Sequence, residues 1–100
     1  MHTVFSYDLQ IPAGERRHEV ENRIEAILQP YQHVRRLTTF YIIHVETQAE
    51  WNTLLTNLTA LSREIPEALH FIMSPPMDGG RYNGILPRGD WDRVNEITNM

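Results

Sequence analysis

An α+β fold, with an antiparallel sheet carrying two helices on one face, follows from three patterns in the chain. Residues 3–9 alternate with a period of two, residues 51–65 repeat apolar side chains at helical spacing, and between them two short β-branched and aromatic runs meet near Thr38-Thr39. Read in order with the segments around them, these give β-α-β-β-α-β. The 100 residues, 41% of them hydrophobic and 22% charged, suit a single domain spanning 1–100 around one core.

The first predicted strand, residues 3–9, sets Phe5, Tyr7 and Leu9 on one face and Val4, Ser6 and Asp8 on the other. A loop over 10–14, with Pro12 and Gly14, leads into a helix over 15–29, where Val20, Ile24, Ile27 and Leu28 form an apolar stripe until Pro30 stops it. Residues 33–37 and 40–45 predict a hairpin, and the second run is apolar enough for a central strand. Thr47 with Glu50 three residues on is a capping box, opening a helix in which Trp51, Leu54, Leu55, Leu58, Leu61 and Ile65 share a face. Pro66 ends that helix. Residues 68–73 supply a fourth strand, 74–80 a turn-rich stretch, 81–86 a short fifth strand, and 90–98 a terminal helix with Trp91, Val94 and Ile97 as its stripe.

That order is the ferredoxin-like split βαβ pattern, which leaves the second sheet face available to a partner. Membrane insertion is not expected, because no apolar run approaches the ~18 residues a span requires, and without a signal-peptide pattern the expected compartment is the cytoplasm. The absence of cysteine excludes disulfides, thiolate metal sites and cysteine nucleophiles, leaving Asp, Glu and His as metal ligands. A net charge of −4 gives no general attraction to nucleic acid, so binding phosphate would require a local patch. The basic residues are all arginine, a side chain whose planar fork matches phosphate, although composition alone also accounts for the bias.

Asp8 is the leading candidate for chemistry. A carboxylate at the end of a rigid strand can hold Mg²⁺, which organises water and polarises a phosphodiester; equally, it can cap the following loop as an Asx-turn. Arg16-Arg17 and Arg35-Arg36 are the candidate phosphate-contacting pairs, with Glu15, Glu19 and Glu21 available to neutralise the first pair along a solvated helix. His2, His18, His33, His44 and His70 show no metal-ligand spacing and read as surface or sheet-face packing. Met77-Asp78-Gly79-Gly80 lacks the context of a phosphate loop and reads as a turn, while Trp51 and Trp91 lie on apolar stripes.

Ser6-Tyr7-Asp8-Leu9 closing the first strand, Arg16-Arg17 opening the first helix, and Thr38-Thr39-Phe40 in the hairpin resemble the small CRISPR-associated nuclease family of the second Cas type. Its relatives, the virulence-associated protein D toxins and the SinR-like proteins, share the resemblance, which covers nearly the whole chain. Gly84-Ile85-Leu86-Pro87 followed by Asp90-Trp91 is most similar to the SinR-like branch. The resemblance implies a ferredoxin-like homodimer in which two copies of Asp8 face one another across a twofold axis and share a divalent cation. It also departs from the family: where the CRISPR branch reads close to Gln-x-Ser-Val-Phe, this chain has Arg35-Arg36-Leu37-Thr38-Thr39-Phe40. The sequence thus supports two functions, a Mg²⁺-dependent endonuclease acting on RNA or DNA and a non-catalytic dimeric interaction or regulatory module. A ligand-binding regulatory domain is a third class, for which the chain carries no signature.

Overall fold

The computed structural model describes residues 1–87 and 89–100, and of Arg36 the backbone alone. The elements are β1 (His2–Leu9), α1 (Glu15–Leu28), β2 (His33–Leu37), β3 (Phe40–His44), α2 (Gln48–Glu64), β4 (Leu69–Met73) and α3 (Asp90–Thr98). The strands form one antiparallel sheet in the order β2-β3-β1-β4, so the chain's first strand lies between two made later. The result is an α+β fold compatible with a ferredoxin-like arrangement.

The period-two alternation of β1 divides the sheet into a near face and a far face. Phe5, Tyr7 and Leu9 point to the near face, where they pack with Tyr41, Ile43 and Leu69 against Val20, Ile24 and Leu28 of α1 and Leu54, Leu58 and Leu61 of α2. Each such fully buried aliphatic side chain contributes about 1.5–3 kcal/mol of burial free energy, which makes this layer the principal core. Trp51 sits half-buried at the start of the α2 stripe, its indole N–H shared between Thr3 Oγ1 at 3.2 Å and the Ser74 carbonyl at 3.0 Å.

The α2 cap differs in one detail from a simple capping box. Thr47 Oγ1 accepts from the Glu50 N–H at 3.1 Å, but the Glu50 carboxylate reaches one residue further back and accepts from the Glu46 N–H at 2.9 Å. Two amide donors at the helix entrance are still satisfied.

Two expectations are corrected at the C-terminal end. Residues 81–86 form no strand among the described residues; the segment crosses the far face, with Tyr82 and Leu86 packed beside α3. Asn83 and Gly84 within it, and Gly79-Gly80 before it, favour such a crossing path over a ladder. Pairing beyond β4 is limited to a bridge between His2 and Met77. The far face is also not wholly free. Val94 and Ile97 of α3 close over Val34 and Ile42, covering the β2–β3 half and making a second, smaller core.

Among the described residues, the end of the β1–β4 half around Asp8, His70 and Ile72 stays exposed, while Val4 and Ser6 are half-buried and His2 lies buried beside Tyr82. The register of this half places Val4 opposite Ile42, Ser6 opposite both Phe40 and Ile72, and Asp8 opposite His70. Among the described residues no helix is long and apolar enough to cross a membrane.

Candidate functional site

Asp8 stands on the uncovered half of the far face, exposed, one residue before β1 ends. The strand alternation puts it there, and the loop after it is pinned by the Gln10 N–H donating to the Ala68 carbonyl at 2.7 Å. Its carboxylate accepts a hydrogen bond from the Gln10 side-chain amide. The strand-end capping role thus falls to a side-chain pair in place of an Asx-turn. Among the described residues, no three His, Asp or Glu side chains gather as a group able to hold a metal ion. One copy offers a Mg²⁺ ion a single carboxylate, so any firm site here would draw on a second copy.

The arginines do not gather around it. Arg17 turns its guanidinium under the β1–α1 loop, donating to the carbonyls of Leu9 and Ile11, each at 2.7 Å, and pairing with Glu21 at 3.5 Å. That is a loop clamp, in which the charge is used on backbone oxygens. Arg16 is exposed on α1. Arg35 alternates with the far-face residue Val34 and so points to the near side. There it donates to the Thr38 carbonyl at 2.7 Å, lies 3.6 Å from Glu25 and sits over the Tyr41 ring at 5.5 Å. Arg36 belongs to β2, and its side chain lies outside the described residues. Asp8 and Arg35 are therefore on opposite faces of the sheet.

No family model matches the chain, and no curated protein does either.

Arg35 belongs to a polar cluster that the sequence did not signal. Tyr41 Oη donates to Glu25 Oε1 at 2.6 Å, and His33 Nε2 lies 3.9 Å from the other carboxylate oxygen. The Tyr7 and Tyr41 rings stack with centroids 6.2 Å apart. Burial, followed by the hydrogen bond to Glu25 and its charge, drives the Tyr41 phenol far above its ordinary range; burial also raises Tyr7, with the Arg35 charge opposing. Burial thus favours the protonated phenol at both positions, and Tyr41 ties β3 to α1 through Glu25. The nearest signal for this cluster in the sequence was a buried tyrosine on a core face, which calls for a hydroxyl partner without naming it.

On the covered half, α3 and residues 82–86 leave an apolar pocket of about 200 Å³ against the sheet. Phe40, Ile42, Leu86, Trp91 and Val94 line much of it, and Ile85 at its rim is 98% exposed. It offers shape without a set of converging charges.

Proposed function

We propose that the protein is a non-catalytic, homodimeric interaction module on a ferredoxin-like scaffold, working through the uncovered half of its far sheet face in the cytoplasm. The observation that carries this reading is the dispersal of the catalytic candidates: among the described residues Asp8 belongs to no group of three metal-ligating side chains, while Arg17 and Arg35 are committed to backbone carbonyls on the helix side. The uncovered half offers instead a mixed surface of Ser6, Asp8, His70 and an exposed Ile72, suited to protein contact.

A second reading, a Mg²⁺-dependent endonuclease related to the CRISPR-associated and SinR-like families, is favoured by one feature. Asp8 is exposed on the same uncovered surface, where face-to-face packing about a twofold axis would let two carboxylates share a cation. In that assembly Arg16, exposed on α1, is available to contact phosphate.

Incubation of the purified protein with single- and double-stranded RNA and DNA, in Mg²⁺ and in Mn²⁺, separates the two. The interaction module leaves every substrate intact. Metal-dependent cleavage that disappears in Asp8→Asn overturns the proposal in favour of the nuclease, because that substitution keeps the size of the side chain and removes the charge that holds a cation.

A further inference from the structure

Strand β4 is an end strand of the sheet, and its free edge can pair antiparallel with a second copy of itself. The hydrogen bonds flanking it, from Ser74 N–H to the Val4 carbonyl at 2.9 Å and from Gln10 N–H to the Ala68 carbonyl at 2.7 Å, assign the even-numbered positions to β1. Phe71 and Met73 consequently direct their N–H and C=O groups away from the sheet. Among the described residues no hydrogen bond reaches these four groups.

Both ends of the free stretch are closed. Leu69 N–H donates to the Ile65 carbonyl at 3.1 Å and the Leu69 carbonyl accepts from Ser62 Oγ at 2.6 Å, while Pro75 has no N–H to offer. The opposite edge, β2, carries a bulge between Arg35 and Leu37 and a charged side chain, devices that discourage pairing. The β4 edge has no proline, formal acid or base other than His70, or register shift, and Ile72 beside it is 75% exposed.

We infer that two copies join through β4 edges, antiparallel about a twofold axis at Ile72, with Phe71 of each copy hydrogen-bonded to Met73 of the other. This register uses all four free backbone groups of each copy and stops where Leu69 meets the Pro75 of the second copy. Each Ile72 lies directly opposite its counterpart in a non-hydrogen-bonded position, where side chains approach most closely. The inference rests on the dimeric-module reading and deepens it, since edge pairing makes the two uncovered half-faces one continuous surface. It also separates the two Asp8 residues by three strand spacings and an axial offset, roughly 20 Å in all, too far to share a cation.

The test exploits the absence of cysteine, because an introduced thiol can meet only its own copy. Under mild oxidation Ile72→Cys should form a covalent dimer, as opposed non-hydrogen-bonded positions lie within disulfide reach, whereas Ile85→Cys on the far rim should not. In sedimentation equilibrium, Ile72→Asp and Ile72→Lys should each weaken the wild-type dimer by at least roughly a hundredfold through juxtaposed like charges, and an equimolar mixture of the two should dimerise again. That rescue requires position 72 to face itself. Ile72 is exposed, so circular dichroism should show both variants folded. A wild-type protein that stays monomeric, or a dimer that persists in both charged variants, overturns the edge. Cleavage lost in Asp8→Asn would overturn the module reading independently of either result.

Discussion

The two halves of the far sheet face begin from the same strand chemistry and end in different states. On the β2–β3 half, Ile42 is 3% exposed beneath Val94 and Ile97; on the β1–β4 half, Ile72 is 75% exposed. What distinguishes them is one nine-residue helix, α3, together with the segment that delivers it. The covered half is buried in the second core, and the open half is the surface proposed for contact with another copy.

Deleting residues 90–100 tests that division most severely. Losing α3 exposes Val34, Ile42 and Phe40 at once, and the expected result in size-exclusion chromatography is aggregation while far-UV circular dichroism retains the signal of the remaining sheet and helices. A monodisperse, fully stable product would show that α3 contributes little. Next in size is Ile42→Ala, expected to cost about 2–5 kcal/mol in urea unfolding because it opens a cavity between sheet and helix.

A pH titration probes the seam where the two halves meet. His2 is buried, its Nε2 2.5 Å from Tyr82 Oη, and burial lowers its pKa below the ordinary value of 6.5, with the N-terminal ammonium adding to the shift. The unfolded chain therefore binds a proton more readily than the folded one. Stability contributed by neutral His2 is complete above pH 6.5 and falls as the pH drops through 6.5 toward the lower folded value. Thermal unfolding of wild type and His2→Gln across that interval should show the wild type losing more of its stability on acidification. The smallest effect is expected of Ile72→Ala, within about 0.5 kcal/mol of wild type when unfolding is measured at concentrations too low for association. A cost comparable to that of Ile42→Ala would mean that the open half is covered within a single copy.

The sequence carried the elements well because their signals are local. Val20, Ile24 and Leu28 in α1, and Leu54, Leu58 and Leu61 in α2, show their buried faces through spacing alone, and Thr47 marks its own helix start. The stripe of Val94 and Ile97 was equally visible, but periodicity reports that a helix has a face to bury and not which surface receives it. Residues 81–86 look strand-like for a related reason, since a short segment with Tyr82, Ile85 and Leu86 that crosses a sheet and one that joins it look alike without their neighbours.

The candidate site was legible only in part. The alternation of β1 gave Asp8 its face, which the structure bears out. Arg16 and Arg17 are adjacent and chemically identical, yet Arg17 is the one that finds the carbonyls of Leu9 and Ile11. Those acceptors exist only once the loop has folded. Glu25, Tyr41 and Arg35 likewise come together from α1, β3 and β2, and no spacing along the chain encodes that meeting.

The central position of β1 bears on how the chain can be assembled. It leaves the ribosome before either of its two partners, residues 40–44 and 69–73, so its backbone groups must wait for both to be made before both sides are paired. Until then Phe5 and Tyr7 have only an incomplete helix layer to shelter against, and the closing step brings together residues sixty or more positions apart. Vectorial synthesis thus leaves β1 without its second flank until residues 69–73 are made, and a pause in translation before residue 69 would hold a strand that is hydrophobic on one face in its most adhesive state.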